Sequence, residues 1–246
     1  MIYYTGDTHG DSILTRLGAS FSEGKHLTKD DYVIVCGDLG LIWDGVKTPK
    51  ETRVWDALAK KKFTTLFVAG NHENYDRLFS EEFEKVDMFG DTVVRIHDSL
   101  YMLQSGHIYT IGGVRILAIR GAASTDRWRR VEGVSWWPQE VLTQGEMRAI
   151  LERMEVEGNT VDVVVSHASH MAMTEEIFPY VVEHETDPMV HFLTEVQKRL
   201  HYQYWVNGHY HVNVWHGESK TFTLYTNVVS DREIKKLIEG STHERI

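Results

Sequence analysis

The sequence contains a single cysteine and only four prolines among its 246 residues. One cysteine cannot form an internal disulfide, so the fold does not depend on covalent cross-links, and a reducing cytoplasm fits this usage. Cys36 follows the apolar run 32–35 and is expected to be a small buried core residue. Low-complexity tracts and linkers rich in proline, glycine or serine are also lacking, which excludes collagen-like, fibrous and disordered proteins.

Long hydrophobic runs are absent, and so is an excess of positive charge. No stretch approaches the roughly 18 apolar residues that a membrane span requires, and residues 1–7 lack the features of a secretory signal. Lysine and arginine total 26 against 36 aspartates and glutamates, which gives a formal net charge of −10. A negative surface repels polyphosphate backbones, so non-specific DNA binding is disfavoured. These features predict a cytoplasmic protein with no membrane partner.

The chain has enough apolar sequence to build a core, with 42% hydrophobic and 25% charged residues. We expect one domain over residues 1–246, because no linker interrupts the pattern. Capping boxes predict helices that begin at Thr48 and Thr143, Asp187-Pro188 predicts a third helix, and a short helix ends the chain. The predicted strands are 1–5, 32–36, 64–69, 92–96, 100–103, 108–111, 114–119, 161–165, 202–206, 212–216 and 221–225.

The order of these elements indicates the fold class. The early strands alternate with helical patterns, whereas residues 92–120 contain consecutive short strands that predict a β-meander. No internal repeat divides the chain. This mixture predicts an α/β fold in which two mixed sheets pack together with helices on the outside.

Residue types that bind metals follow five of the predicted strands. Open α/β sheets place their sites at these carboxyl ends. Asp7 and His9 lie two residues apart on an extended segment, as do His209 and His211, so each pair can point at one ion. Each block alone also has an ordinary explanation as a turn, a helix cap or a structural histidine. The five blocks are Asp7 with His9, Asp38, Asn71 with His72 and Glu73, His167, and His209 with His211.

Together and in this order, the blocks resemble the calcineurin-like metallophosphoesterase superfamily. The motifs that carry the resemblance are Asp-x-His, Gly-Asp, Gly-Asn-His, a strand-terminal His and Gly-His-x-His, and they span residues 6–211. The resemblance implies a four-layer α/β/β/α sandwich and a dinuclear metal hydrolase. It implies the following roles: Asp7, His9 and His211 on one ion, Asn71, His167 and His209 on the other, Asp38 as the bridge, and His72 as the proton donor.

The implied pair of ions accounts for hydrolysis of a phosphomonoester or phosphodiester. Metal coordination lowers the pKa of bound water toward about 7, and two ions about 3.5 to 4 Å apart can clamp both phosphate and nucleophile. We expect direct in-line attack by a metal-bridging hydroxide, with His72 protonating the leaving oxygen. Carboxylate, amide and imidazole ligands without thiolate suit manganese, iron, zinc or nickel, and we expect manganese.

The second motif departs from the pattern of related families. Protein Ser/Thr phosphatases and diadenosine tetraphosphatases continue Gly-Asp with a second aspartate and then Arg-Gly, whereas this chain has Leu39 to Asp44. The usual partner of the catalytic histidine and a phosphate-binding arginine are therefore missing. We expect Asp44 or Glu73 to orient His72 instead. The chain is closer to the small metallophosphatases of bacteria and their phages.

Residues 120–137 are basic and aromatic against an acidic background. Arginine forks grip phosphate oxygens and indole rings stack on bases or sugars, so this segment is a candidate substrate-recognition loop. A solvated loop whose tryptophans anchor it to the core explains the same composition. The candidate substrate-binding residues are Arg120, Arg127, Trp128 and Arg129.

Other functions and other ligands stay open at this point. A nucleotide pyrophosphohydrolase or nuclease is the second enzymatic hypothesis, favoured by the arginines and tryptophans of 120–137 and disfavoured for polymeric DNA by the negative charge. A non-catalytic scaffold, like the retromer subunit with this fold, is the third, but this chain carries a full set of ligand types. His170 lies three residues after His167, and we favour His167 as the ligand because it directly ends its strand.

Overall fold

The computed structural model describes residues 1–10, 12–180 and 187–243. Its strands are β1 (Ile2–Thr5), β2 (Tyr32–Val35), β3 (Thr64–Phe67), β4 (Glu84–Met88), β5 (Asp91–His97), β6 (Leu100–Leu103), β7 (Ile108–Ile111), β8 (Val114–Ile119), β9 (Val163–Ser166), β10 (Tyr204–Asn207), β11 (Val214–His216), β12 (Thr221–Thr223) and β13 (Val228–Ser230). Its helices are α1 (Ser12–Arg16), α2 (Pro49–Ala59), α3 (Tyr75–Leu78), α4 (Gln144–Val156), α5 (Met171–Ile177), α6 (Pro188–Arg199) and α7 (Asp231–His243).

The strands form two mixed sheets. The first has the order β13-β1-β2-β3-β6-β5-β4 and the second β11-β12-β10-β9-β8-β7. In the first sheet β1, β2, β3 and β6 are parallel, and in the second β12, β10, β9 and β8 are parallel. Antiparallel strands flank both parallel centres. The prediction of two mixed sheets is confirmed.

Successive side chains of each strand point to opposite faces of its sheet, and both faces of both sheets are covered, which gives four layers. Tyr4 and Ile34 of the first sheet belong to the same buried cluster as Val165 and Val206 of the second, so the two sheets face each other. The residues between them in sequence point outward: Val33 packs in a cluster with Trp55 of α2. On the second sheet, Val164 and Trp205 join Ile150 of α4 and Leu193 of α6. The layers are therefore α/β/β/α, as the resemblance implied.

The helix starts follow the predicted capping chemistry. Thr48 accepts from the backbone N–H of Glu51 while Glu51 accepts from Thr48, a complete capping box before Pro49. Thr143 and Glu146 make the same exchange at α4. Asp187 caps α6 by accepting from the Met189 backbone N–H at 2.7 Å. Such caps satisfy helix N–H groups that otherwise lack a partner.

The predicted β-meander over residues 92–120 is wrong. β5 and β6 pair in the first sheet and β7 and β8 pair in the second, so the chain crosses between the sheets after Leu103. Two hairpins in different sheets have the same sequence pattern as a meander, because local periodicity does not report which sheet a strand joins. Strand β4 was not predicted, since its residues are charged and mostly exposed. Within the described ranges no helix has the length and apolarity to cross a bilayer.

Candidate metal centre

Five loops bring the predicted ligands to one place. Asp7 and His9 follow β1, Asp38 follows β2, and Asn71 follows β3, three adjacent parallel strands. His167 follows β9, and the His209 loop follows its parallel neighbour β10. Since parallel neighbours end at the same edge, the carboxyl ends of both sheets meet over one site.

The first cluster consists of Asp7, His9 and His211. His211 Nε2 lies 2.9 Å from Asp7 Oδ2, and His9 Nε2 lies 2.9 Å from His211 Nε2. Donor atoms that share an ion through bonds of about 2.0 to 2.3 Å are about 3 Å apart, so this spacing fits one metal. Burial disfavours the charged form of Asp7, but the hydrogen bond from His211 and the nearby histidines lower its pKa to about 2.

The second cluster is built around His167. Its Nδ1 donates to the Cys36 carbonyl at 2.8 Å, which leaves the Nε2 lone pair directed into the site. That Nε2 lies 3.0 Å from Asn71 Oδ1 and 3.3 Å from Asp38 Oδ1. Burial and the charge of Asp7 raise the pKa of Asp38 well above its usual value. Buried carboxylates surrounded by imidazole and amide donors form a set that a divalent cation would stabilise.

Asn71 is itself held in place by a chain of hydrogen bonds. Its Nδ2 donates to Ser124 Oγ at 3.1 Å, and Ser124 Oγ donates to Glu140 Oε2 at 2.7 Å. The other carboxylate oxygen of Glu140 accepts from the Ser124 backbone N–H at 2.7 Å. These contacts fix which end of the Asn71 amide faces His167. No sequence motif pointed to Ser124 or Glu140, because both follow Asn71 by about fifty or more positions.

Four candidate ligands have left-handed backbones. The φ angles of His9, Asp38, His209 and His211 are 45°, 49°, 70° and 54°, and the described residues contain eight non-glycine residues with positive φ. This conformation is costly for residues with a Cβ, on the order of 1 kcal/mol each, and clusters where function requires it. The strain therefore concentrates on the loops that carry the site.

Two glycines make room for the ligands. A Cβ at Gly70 would overlap Asp38 Oδ1 and His167 Nε2, and a Cβ at Gly37 would overlap the His167 ring. Gly37 also has a φ of +89°, which glycine adopts without steric cost. The glycines in Gly-Asp and Gly-Asn-His are thus explained by the close approach of another strand's ligand.

Glu73 and Asp44, one of which was expected to orient His72, make other contacts. Glu73 is fully buried and accepts from the backbone N–H groups of Gly40 at 3.0 Å and Gly70 at 2.5 Å, so it ties two ligand loops together. Burial and the charge of Asp38 raise the pKa of Glu73 to about 8. Asp44 is exposed, and its backbone carbonyl, not its carboxylate, accepts from Asn74 and Arg77. Among the described contacts, neither carboxylate orients the His72 ring.

His72 is oriented by other groups. Its ring stacks on Trp43 with centroids 5.6 Å apart, and its backbone N–H donates to Asp38 Oδ1 at 2.7 Å. Arg130 Nη2 lies 3.4 Å from His72 Nε2. Burial and the positive charge of Arg130 lower the pKa of His72 to about 4. His72 also forms a possible metal-binding group with His9 and Asp38, with a distance of 4.0 Å from its Nε2 to Asp38 Oδ2.

His209 and His170 contact the site differently. The His209 backbone N–H donates to Asp7 Oδ1 at 2.8 Å, and its ring lies 4.9 Å from that of His167. Among the described residues, His209 is outside the three groups of His and Asp whose ligand atoms lie within 4.8 Å of one another. Burial lowers the pKa of His209 to about 3. His170 is buried against Trp205, with Nε2 2.8 Å from Thr221 Oγ1, so it packs in the second sheet.

None of the described contacts joins the arginines singled out in residues 120–137 to this cluster. Arg120 is buried, pairs with Glu146 at 2.6 Å and lies over the Tyr75 ring. Arg127 and Arg129 are exposed, and Arg129 lies over Trp128, which is 74% exposed. Arg130, which contacts His72, comes from the same segment. It pairs with Asp126 four residues earlier, at the spacing of ion pairs on a helix, which the sequence can indicate.

Comparison with known proteins identifies the family of this chain. Residues 1–213 match the family model described as calcineurin-like phosphoesterase. Among solved structures, phosphopantetheinyl hydrolase from Mycobacterium tuberculosis is similar over 96% of this chain and 91% of its own, at 16% identity and a TM-score of 0.49. No curated protein matches the sequence. The range matched by the family includes every candidate ligand from Asp7 to His211.

Proposed function

The chain belongs to the calcineurin-like phosphoesterase family and is a hydrolase of phosphoester bonds, and from this premise we propose that it acts with two divalent ions on a phosphomonoester or phosphodiester. The observation that carries the proposal is the position of Asp38 between the two clusters. Its Oδ1 lies 3.3 Å from His167 Nε2, and its Oδ2 lies 4.0 Å from His9 Nδ1. One carboxylate thus offers an oxygen to each side.

We assign the ligands by these distances and by the family motifs. Asp38 is the shared ligand, and its two oxygens face different donors. Asn71 and His209 complete the His167 side, because Asn71 Oδ1 lies 3.0 Å from His167 Nε2 and the ring centroids of His209 and His167 are 4.9 Å apart. The donor set of carboxylate, amide and imidazole without thiolate suits manganese, iron, zinc or nickel, and of these we propose manganese. The proposed ligands are Asp7, His9 and His211 for one ion, Asn71, His167 and His209 for the other, and Asp38 for both.

Two bound divalent ions would supply an activated water and positive charge for the phosphoryl oxygens. The chain supplies orientation and the proton. His72 is held by Trp43 and by its own backbone bond to Asp38, and its Nε2 faces the site. A bound phosphoryl dianion favours the protonated ring, which can then give the Nε2 proton to the leaving oxygen.

Hydrolysis of p-nitrophenyl phosphate and bis-p-nitrophenyl phosphate, with Mn²⁺, Ni²⁺, Zn²⁺ or chelator, tests the proposal. We expect activity with metal and none with chelator. Asp38→Asn should lose both activity and metal, because it removes the shared charge. His72→Ala should bind two ions per chain and lose at least about 100-fold in turnover. The exposed His26 gives a matched control, His26→Ala, with unchanged activity.

Metal content decides between two roles for His72, because a ligand and a proton donor fail differently. An ion missing from His72→Ala would make His72 a ligand and overturn the assignment. Wild-type protein with two ions bound and no activity on either ester would contradict the proposed substrate class. Nucleotides are the next substrates to assay, since the exposed Trp128 with Arg129 over its face offers a stacking surface.

A further inference from the structure

Within residues 120–137, Arg130 contacts His72 of the candidate centre, although the sequence singled out its neighbours. Its Nη2 lies 3.4 Å from His72 Nε2, and its side chain is 15% exposed. We propose that Arg130 binds an unesterified oxygen of the substrate's phosphoryl group and thereby selects phosphomonoesters over phosphodiesters. The inference rests on the proposed function, because it requires a phosphoryl group beside His72.

The Arg130 guanidinium is held in a fixed orientation. Asp126 accepts from its Nε at 2.7 Å and from its Nη2 at 3.0 Å, a two-point contact. Its Nη1 donates to the Ser135 carbonyl at 3.1 Å. Asp126 is half-exposed, so water screens this ion pair and the guanidinium keeps much of its attraction for a second anion. A planar fork held at one edge presents its other edge to the site.

The contact with His72 marks where that second anion fits. A nitrogen–nitrogen distance of 3.4 Å is long for a hydrogen bond, and a neutral imidazole is a weaker acceptor than a phosphoryl oxygen. The bonds to Asp126 and Ser135 use three of the guanidinium N–H groups, and others remain for a ligand. A phosphoryl oxygen beside His72 would therefore gain a charged hydrogen bond that no described residue now fully uses.

The segment that carries Arg130 packs against Trp43, the ring that also stacks on His72. Trp137 is buried, and its indole N–H donates to Asp76 Oδ2 at 2.9 Å. The Trp137 ring meets the edge of Trp43 with centroids 5.3 Å apart, and Trp43 stacks on His72. Arg130 and His72 are thus positioned relative to each other by packed aromatic rings, which favours a defined distance between them.

Ester chemistry gives this arginine its selectivity. A bound phosphomonoester presents one more unesterified oxygen than a phosphodiester. If two bound ions each hold one of these oxygens, the remaining unesterified oxygen of a monoester is free to accept from Arg130. In a diester that position is an esterified oxygen bonded to carbon, which is a much weaker acceptor than an anionic phosphoryl oxygen. Arg130 therefore stabilises a bound monoester and contributes little to a diester.

Arg130→Gln and Arg130→Lys, each assayed on p-nitrophenyl phosphate and bis-p-nitrophenyl phosphate, test the proposal. We expect Arg130→Gln to lower kcat/KM for the monoester by about 10- to 100-fold and to change the diester value by less than about threefold. Arg130→Lys keeps the charge without the fork and should fall between. Calorimetry should show about tenfold weaker binding of inorganic phosphate to Arg130→Gln at unchanged metal content.

Arg199→Gln is the matched control. Arg199 pairs with Glu195 at the same four-residue spacing, is exposed, and precedes β10, whose opposite end carries the His209 loop. It should leave both esters and phosphate binding unchanged. Equal losses on the two esters, or unchanged phosphate affinity in Arg130→Gln, would overturn the inference.

The outcomes also separate this inference from the proposed function. Metal-loaded wild-type protein that hydrolyses neither ester contradicts the proposed function, while the calorimetric comparison still tests phosphate binding by Arg130. A wild-type enzyme that hydrolyses both esters with a ratio unaffected by Arg130→Gln leaves the proposed function intact and removes the inference.

Discussion

At the scale of single residues, the candidate centre restricts the size of side chains as well as their chemical type. Gly70 has no side chain because Asp38 and His167 occupy the volume where its Cβ would lie. Its backbone N–H also donates to Glu73 at 2.5 Å, so the glycine cannot move away without breaking that bond. The position of Gly70 is therefore as constrained as that of a ligand, although it contributes no donor atom to the metals.

Gly70→Ala tests this steric constraint. The added methyl group should displace Asp38 or His167, lower metal affinity and reduce metal-dependent turnover by more than about tenfold, with a loss of about 1 to 3 kcal/mol in unfolding free energy. Metal titration and chemical denaturation measure the two effects. Gly45→Ala is the control, because no atom lies within 4 Å of a Cβ at Gly45. Equal metal affinity in Gly70→Ala and wild type would contradict the steric argument.

At the scale of elements, the segment between β8 and α4 supports a proposed ligand that follows a strand of the other sheet. Ser124 and Glu140 of this segment orient Asn71, which follows β3. Hydrogen bonds behind a ligand usually affect metal affinity by 10- to 100-fold. The segment therefore contributes to the proposed metal centre without supplying any of its proposed ligands.

Ser124→Ala should loosen the Asn71 amide and weaken binding of one of two ions. The expected loss in affinity for that ion is about tenfold, while the other ion is retained. Competitive titration of Mn²⁺ against a chelating dye resolves the two binding steps. Ser22→Ala, at an exposed serine, is the control. Two unchanged binding steps in Ser124→Ala would show that Asn71 needs no support from this segment.

The elements also show what sequence can and cannot predict. Strands that end in Gly-Asp or Gly-Asn-His were recognisable because an apolar run and its polar end lie together in the chain. The expectation that Asp44 or Glu73 orients His72 depended on the direction of their side chains. In the structure the Glu73 carboxylate accepts from two backbone N–H groups instead. Arg130 reaches His72 only because two sheets pack together, a relation between segments that no local pattern contains.

At the scale of the whole molecule, strands from both ends of the chain share one sheet. The edge strand β13 pairs with β1, and β1 lies beside β2. We therefore propose that residues 1–246 fold as one domain. The pairing of β1 with β2 brings the buried carboxylates of Asp7 and Asp38 together. Burial raises the pKa of Asp38, and the charge of Asp7 raises it further.

Metal removal should therefore change stability as well as activity. With chelator at neutral pH, Asp38→Asn should unfold at a higher temperature than wild type, because it removes a buried charge beside Asp7. With Mn²⁺ the order should reverse, since binding to the folded state stabilises it. A difference of 1 kcal/mol corresponds to about 2 to 4 °C. Thermal unfolding followed by circular dichroism measures both, and an equal Mn²⁺-induced rise in the two proteins would contradict this expectation.

The segment between β8 and α4 has a consequence for how this enzyme can diversify. It carries Arg130 and the exposed Trp128, while every proposed ligand follows another strand. If Arg130 selects the ester as proposed, substitutions there alter which ester is accepted and leave the proposed ligands of both ions unchanged. Substrate preference thus depends on a position that is not a proposed ligand, and selection can change it without removing any ligand.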